Sequence, residues 1–351
     1  MAAIESRPAM KPRNLIAIDA MGGDEGPVVA IAGASVAKER FPDSKFVMFG
    51  DEAVCRPLMA KYKQLSTDCD IVHTSELITP DAKPSVALRK GRSSSMGMAI
   101  QAVAHGEADA VISAGNTGAL MAMSKVFLKT LPGISRPAIA GLIPTRRSES
   151  VFLDLGANVE CSKRNLVEFA CMGTILARAV LGVVRPTVGL LNVGQEEFKG
   201  KSDLREVAHL LRRYEQHFEF KGFVEGDDVA TGTTDVVVAD GFTGNVALKV
   251  MEGVAQAYSD FLRKSLRSSL MSRVGAILAS SAFERLRLKV DPRRHNGAMF
   301  VGLNGVAVKS HGGTDLIGFA NAVGVGIDIV KQGVNDRIIA DLAEIDLGEL
   351  E

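Results

Sequence analysis

Tryptophan is absent from this chain and aromatic residues make up only 5% of it, so no platform exists on which bases could stack. Surplus charge is absent too. Lysine plus arginine and aspartate plus glutamate each number 41, which leaves no overall field to draw nucleic acid, and any basic surface must be local. The four cysteines, Cys55, Cys69, Cys161 and Cys171, form no C-x-x-C pair and have no metal spacing with histidine. They read as buried, reduced thiols of a cytosolic protein, and neither metal nor cofactor is expected. No run of about 18 apolar residues occurs, so nothing reads as a membrane span. Residues 1–13, polar with two prolines, are neither signal peptide nor span and are expected to be a loose tail. Two motifs are also missing. No G-x-S-x-G marks a serine nucleophile, and no G-x-G-x-x-G opens the first strand–helix unit, which has Gly22-Gly23 and Gly26 instead.

What is present is a repeating plan. With 351 residues, 46% of them hydrophobic, the chain can bury a large core in one α/β domain of one or two lobes. Short apolar runs at 15–18, 45–49, 70–73, 108–113, 138–143, 151–155, 187–191, 220–224 and 236–239 alternate with helical patterns. That alternation predicts βαβ units and a largely parallel sheet. Thr145-Arg-Arg-Ser148 looks like a hairpin turn, and 297–303 with 306–310 like two closing strands, so the sheet is expected to be mixed. A helical pattern from Val246 to about Leu288, weakened near Gly275, predicts a helical hairpin projecting as an arm over about 254–290. The acidic end, 341–351, is expected to finish as a frayed helix.

The stretch around which the chain is organised runs from Asp235 to Lys249. A four-residue apolar strand meets Asp240-Gly241, and Thr243 is placed to cap the next helix, with Gly244 and Asn245 in its first turn. Such a turn leaves backbone N–H groups at a helix start, where the helix dipole favours an anion. The same plan recurs at Asp19–Asp24, Ser113–Gly118, Asp154–Asn158 and Leu190–Gly194. In an open parallel sheet ligands sit outside the carboxyl ends of the strands. Five such turns predict one crevice for a polar or anionic ligand.

The blocks Asp19-Ala-Met-Gly-Gly-Asp24, Ala114-Gly-Asn-Thr-Gly-Ala-Leu120, Asp154-Leu-Gly-Ala-Asn158 and Asp240-Gly-Phe-Thr-Gly-Asn-Val-Ala-Leu-Lys249 resemble, in order, the signature blocks of the bacterial phosphate acyltransferases. The similarity runs from about Asn14 to about Gly333. It implies an αβα sandwich akin to phosphotransacetylases and to isocitrate and isopropylmalate dehydrogenases. It also implies conversion of acyl-acyl carrier protein and inorganic phosphate into acyl phosphate, at the start of phospholipid synthesis. The implied partners are acyl carrier protein, phosphate, a second copy of the chain, and an anionic membrane surface or the membrane acyltransferase of the next step. The implied location is cytoplasmic, peripheral to the inner face of the membrane. Phosphotransacetylases are echoed more weakly in Gly302-Leu-Asn304 and Ser310-His-Gly312. There they carry Ser-Arg-Gly, and His311 stands where the arginine would be.

Acyl transfer from a thioester to phosphate needs a held phosphate, donors for the developing oxyanion, a proton or cation for the thiolate, and an apolar groove for the chain. Phosphate is itself the nucleophile, so no covalent residue is required, and much of the acceleration can come from positioning. Asn116, Thr117, Asn158 and Asn245 can donate without adding negative charge; Lys249, present in the family block, or Lys309, at a strand end, supplies the cation. His311 is a candidate for proton transfer. The blocks also bring Asp19, Gly22, Gly23, Asp240, Thr243 and Ser310 toward substrate. Carboxylates repel phosphate, so Asp19, Asp24, Asp154 and Asp240 read as capping turns or holding lysines and asparagines in place. Their spacing is not diagnostic of a Mg²⁺ site, and the sequence leaves one open.

Three other readings compete: a phosphotransacetylase or phosphotransbutyrylase acting on acyl-CoA, a dinucleotide oxidoreductase, and a non-catalytic scaffold at a membrane surface. The segment 261–294 favours a protein or lipid partner. Leu262, Leu266, Leu270, Val274, Ile277 and Leu278 recur at helical spacing, provided the helix persists past Met271. Nine cations (Arg263, Lys264, Arg267, Arg273, Arg285, Arg287, Lys289, Arg293 and Arg294) face only Glu284 and Asp291. A dimer-interface helix pair with a solvated basic face is the plainer reading of the same segment.

Overall fold

A computed structural model describes residues 14–344, so the expectations for residues 1–13 and 345–351, and the side chains of Arg287 and Lys289, lie outside the described residues. The chain divides into two compact units, 14–137 with 297–344, and 138–296.

The first unit opens with β1 (Leu15–Asp19), α1 (Pro27–Arg40), β2 (Lys45–Gly50), α2 (Glu52–Met59), α3 (Lys63–Asp68) and β3 (Cys69–His73). It continues with α4 (Pro84–Lys90), α5 (Ser95–Ala104), β4 (Ala110–Ser113) and α6 (Thr117–Leu128). The second unit holds β5 (Ala138–Pro144), β6 (Glu149–Leu153), α7 (Lys163–Leu181), β7 (Thr187–Leu191), α8 (Ser202–Arg212), β8 (Glu219–Val224) and α9 (Gly226–Thr231). It ends with β9 (Val236–Val238), α10 (Gly241–Arg267), α11 (Leu270–Leu278) and α12 (Ser280–Val290). The chain then returns to the first unit for β10 (Ala298–Val301), β11 (Val306–Lys309), α13 (Leu316–Lys331) and α14 (Val334–Glu344).

In the first unit the strand order is β3-β2-β1-β4-β11-β10, parallel except for the β10–β11 hairpin. Period-2 alternation assigns the two faces. Ile112 and Val308 lie under α13, where a Cβ at Gly326 would come within 2.6 Å of Ile112. Asp19 and Ser113 point the other way, toward α5 and α6. In the second unit the order is β5-β6-β9-β7-β8, with β5–β6 the antiparallel hairpin closed by Thr145 N–H on Ser148 O. Buried α7 covers β6 and β9, where Gly173 leaves room for Leu153 and Val236. The result is the mixed α/β architecture with largely parallel sheets that the alternation predicts.

The differences from expectation have local causes. Helix α10 starts at Gly241, not after Thr243, because Asp240 is the cap: its carboxylate accepts from Thr243 N at 2.8 Å. The short helices α3 and α4 carry one buried residue each, too few for a readable period. The arm breaks at Ser268-Ser269 and Ala279, not at Gly275. Ser269 accepts from Ser272 N and begins a new helix, so Leu262 and Leu266 belong to one helix and Leu270 to Leu278 to the next, and no single stripe runs through them.

All four cysteines are free thiols. Cys55 and Cys171 are buried, but Cys69 and Cys161 are only half-buried, less than expected. Burial pushes the Cys55 thiol up to about 11 and the Cys69 and Cys171 thiols up to about 12. The nucleophilic thiolate is therefore scarce at neutral pH. In a disulfide-exchange titration at pH 7.5, Cys55 and Cys171 should react only on unfolding; fast labelling of Cys171 in native protein would contradict this packing.

Candidate functional site

In the first unit, β1, β4 and β11 are adjacent and parallel, and their last residues, Asp19, Ser113 and Lys309, are register partners on one sheet face. The sheet runs outward from β1 to β2 and, on its other side, to β4 and β11, so this is the switch point where ligands of open α/β sheets bind. Asp19 is fully buried and accepts from Ser95 Oγ at 2.6 Å and Ser113 Oγ at 2.7 Å. Burial pushes its carboxyl above the ordinary range, while the two hydroxyls, Met21 N–H and the Lys309 ammonium act to lower it. Each oxygen accepts a serine hydroxyl, so Asp19 braces the ends of β1 and β4 and the start of α5. Gly22 is required here: a Cβ would lie 2.6 Å from Asp19 Oδ2 and 2.7 Å from Gly115 N. Gly23, at φ +96°, lies between Ala114 and Gly312, and Asp24 N donates to Gly312 O.

Lys309 donates from Nζ to Ala114 O at 3.2 Å and to Ser310 O, which holds its ammonium at the β4–α6 turn. Buried Ser310 donates from its N–H to Ser113 O and fixes the end of β11 to β4. His311 is exposed beyond it, and Nδ1 accepts from Gly313 N at 3.3 Å. The neutral ring in this arrangement carries its proton on Nε2. Asn116 caps α6 through Ala119 N and spends its amide N–H groups on Pro80 O and Ala82 O. Its side chain ties the start of α6 to the 80–82 loop. The N–H groups of Thr117 and Gly118, at the helix start, have no intrahelical acceptor. Ammonium, helix start and glycine turn together make a seat for an anion.

The second unit has its own strand-end cluster. Fully buried Asp154, after β6, accepts from Ile139 N, Gly156 N and Ala157 N on one oxygen and from Asn158 N and Nδ2 on the other. Burial pushes its carboxyl up, and these donors pull it back. Asn158 is therefore bound to Asp154 and buried. The start of α10 lies against this loop: Gly241 N donates to Asn158 O, and a Cβ at Gly244 would fall 1.9 Å from Asp154 O. Asp240 and Thr243 bond to each other in the cap, which occupies the groups expected to meet substrate. Asn245 is exposed and packs over Gly156. Lys249, on the exposed side of α10, pairs with Glu252 at 2.7 Å. The fifth turn, after β7, closes on itself: Asn192 donates to Gly194 O and Lys199 O.

Of the candidates, then, Gly22, Gly23, Asn116, Thr117, Lys309, Ser310 and His311 gather with Asp19 in one unit. Asn158, Asp240, Thr243, Asn245 and Lys249 gather in the other. Sequence reasoning singled out neither Ser95 nor the Ser113 hydroxyl. Ser94 caps α5, and buried Ser95 turns inward to Asp19. The signal that was available is that Ser113 ends a buried strand as Asp19 does. Among the described residues no group of side chains could hold a metal ion.

Known proteins bear on this arrangement in three ways. The fatty acid synthesis protein family matches residues 15–337. The phosphate acyltransferase of Rhodospirillum centenum is 57% identical over 336 residues, covering 96% of this chain and 95% of that protein. The one from Rhodospirillum rubrum is 55% identical over 331 residues, covering 94% and 95%. Among solved structures, a phosphotransacetylase from Streptococcus pyogenes superposes with a TM-score of 0.59 at 17% identity over 91% of this chain and 93% of its own. A branched-chain phosphotransacylase from Enterococcus faecalis gives 0.56 at 15% identity over 90% and 98%. At those identities the structures speak for the fold alone. The oxidoreductase and scaffold readings give way to the curated relatives. The chain belongs to the fatty acid synthesis protein family, and its kinship with phosphate acyltransferases along nearly its whole length makes it an acyltransferase.

Proposed function

We propose that the protein transfers an acyl group from the thioester of acyl carrier protein to inorganic phosphate. The observation that carries this reading is the in-register Asp19–Ser113–Lys309 row at the carboxyl ends of β1, β4 and β11, with the open N–H groups of α6 beside it. Phosphate binds at Lys309 and the α6 start, desolvated and aimed. One of its oxygens forms a bond to the thioester carbon. The C–S bond breaks, the electron pair leaves on sulfur, and the imidazolium form of His311 gives that sulfur a proton, which the ring regains from the attacking hydrogen phosphate. Acyl phosphate and free carrier thiol result, the first step toward phosphatidic acid. Purified protein given palmitoyl-acyl carrier protein and phosphate should form acyl phosphate with one free thiol per turnover; thiol release without acyl phosphate would make it a thioesterase.

In the second unit, Asn245 is the donor left exposed at the first turn of α10. Asn245→Ala should cut turnover about 10-fold or more while the melting temperature stays within a few degrees, since an exposed turn residue adds little to the core. Wild-type turnover and phosphate affinity in this variant would leave Asn245 without a part in the reaction.

Carrier protein is preferred over free CoA because of the arm. Leu270, Met271, Ile277 and Leu278 are 72–82% exposed, beside the exposed cations Arg263, Lys264, Arg267 and Arg273. Partners that are both acidic and apolar fit this surface: a carrier protein delivering a fatty chain, an anionic bilayer holding the enzyme at the cytoplasmic face, or a second copy covering the apolar side. No helix is long and apolar enough to cross a membrane among the described residues. Changing Arg263, Lys264 and Arg267 together to Glu should weaken binding to carrier protein and to anionic vesicles by about 10-fold or more at low salt. Added salt should narrow the gap, since exposed charges are screened within roughly 8–10 Å. A triple variant that binds both partners as the wild type does would leave the arm as a subunit interface only.

A further inference from the structure

Asp24, which the sequence reads as bracing a turn, stands beside the proton donor of the strand-end site. It follows Gly22-Gly23 in the loop between β1 and α1, and its N–H donates to Gly312 O at 3.0 Å. That bond ties the loop to the His311-Gly312-Gly313 turn beyond β11. The Asp24 side chain lies along the same turn. A Cβ built on Gly312 would come 3.4 Å from Asp24 Oδ1, and one built on Gly313 would come 3.1 Å from Oδ2. The Gly313 position is also 3.8 Å from His311 Nδ1. Oδ2 and Nδ1 are therefore closer together than the roughly 8 Å over which physiological salt screens exposed charges. A side chain at 313 would enter the space these two groups share. Asp24 and His311 are both exposed. Asp19, Asp154 and Asp240 all accept hydrogen bonds on their carboxylates. Among the described residues no donor is bonded to the carboxylate of Asp24.

The neutral ring of His311 accepts from Gly313 N on Nδ1. The imidazolium cannot, because both of its nitrogens are donors. Nδ1–H and Gly313 N–H would then meet donor to donor, and the acceptor beside both is the Asp24 carboxylate. We propose that Asp24 is a positioning residue: it accepts the Nδ1–H of protonated His311, holds the ring as imidazolium, and leaves Nε2–H for the departing sulfur. The inference rests on the proton transfer proposed above. The Nδ1 proton stays in place throughout. Nε2 loses its proton to sulfur and regains one from hydrogen phosphate, so the ring ends as it began. The other charged groups around the turn do not supply this function. The Lys309 ammonium, two residues before His311, is held on Ala114 O and Ser310 O and opposes a second cation. Asp315 spends Oδ1 on Ile317 N and Gly318 N as the cap of α13. Glu25, next to Asp24, is exposed in the loop. Asp24 thus offsets Lys309 and lets two cations stand at one anion seat.

The test uses the full-length protein and two readouts. The first needs no substrate. The ring resonance of His311 in histidine-labelled protein, assigned by its loss in His311→Ala, is followed against pH by NMR. A nearby carboxylate favours the charged ring, so Asp24→Asn should lower the midpoint, by roughly 0.5 to 1 pH unit for an exposed, screened pair. Asp24→Glu keeps the charge and should restore at least half of that shift. An unchanged midpoint in Asp24→Asn overturns the proposal. So does a larger drop in Asp315→Asn, a variant that still caps α13, since Asp315 would then be the partner. The second readout is the pH profile of single-turnover acyl transfer. The protonated ring is the active form, so loss of Asp24 moves the alkaline limb to lower pH by the same amount. On that limb Asp24→Asn should be about 3- to 10-fold slower than the wild type, and the gap should narrow as pH falls. A merely loosened turn would give an equal loss at every pH, and that result overturns the proposal. In a His311→Ala background Asp24→Asn should cost no further rate; a further loss there overturns the pairing. A shifted midpoint with no acyl phosphate formed from any donor upholds the Asp24–His311 pair and overturns the proposed reaction.

Discussion

Lys309→Ala should slow single-turnover acyl phosphate formation by about 100-fold or more, the order seen when one preorganised electrostatic contact is removed from a transition state. Phosphate affinity should fall by less than that. The reasoning is geometric. The Lys309 ammonium is a side-chain cation held at the β4–α6 turn, fixed by Ala114 O and Ser310 O. It compensates phosphate charge at rest and, more strongly, the charge that develops as phosphate attacks. Its removal has a second effect with a definite sign. The ammonium is one of the groups that lower the raised carboxyl of Asp19, so without it Asp19 moves further up and holds its proton to higher pH. Lys309→Arg keeps the charge and should recover part of the rate. His311→Ala should slow the same single turnover by about 10- to 100-fold, since it would lose a proton donor that water can replace in part. Rapid-quench measurement of acyl phosphate, with phosphate titration in parallel, reads both quantities. If Lys309→Ala and His311→Ala both match the wild type, the end of β11 is structural and the proton comes from elsewhere.

Much of the fold can be read from the residues because each strand is a short apolar run stopped by a small polar turn. Val236-Val237-Val238 before Asp240-Gly241 is one case, and Ala110 to Ser113 before Gly115-Asn116 is another. The hairpin at Thr145–Ser148 is equally plain, since two runs sit too close for a crossover helix. The site is less legible for a physical reason. A turn that binds an anion and a turn that braces its neighbour use the same side chains. Asn116 and Asn158 are donors in either case, and only their partners decide. Those partners, Pro80 and Ala82 for Asn116, and for Asp154 the N–H of Ile139, come from other loops and strands. Ser95 meets Asp19 across 76 residues of chain, a contact that no local pattern announces. The apolar stripe of the arm failed differently. Spacing alone assumed one continuous helix, and the capping hydroxyl of Ser269 starts a second.

The largest loss of stability should follow from Asp154. Its carboxylate is wholly buried and accepts from four backbone N–H groups and the Asn158 amide, and so closes the loop between β6 and α7. Asp154→Ala leaves these five donors with nothing to bond. One buried, unsatisfied donor costs about 1–3 kcal/mol; with partial rescue by entering water the total should still exceed ~4 kcal/mol, in the range reserved for broken buried networks. For a unit of this size that lowers the melting temperature by roughly 10 °C or more. Asp154→Asn is the sharper test, because it conserves shape. Its oxygen can serve Ile139, Gly156 and Ala157, but its NH₂ group then faces the N–H and Nδ2 of Asn158, donor against donor. It should lose about half as much as the alanine variant. Gly244→Ala reaches the same loop from the opposite side, since a Cβ there would fall 1.9 Å from Asp154 O and force α10 away. That variant should lose both stability and turnover, because Asn245 moves with the helix start. Calorimetry of the three variants distinguishes the cases. An Asp154→Asn protein melting within ~2 °C of the wild type would show that the loop needs a polar side chain of that size, not an acceptor for five donors.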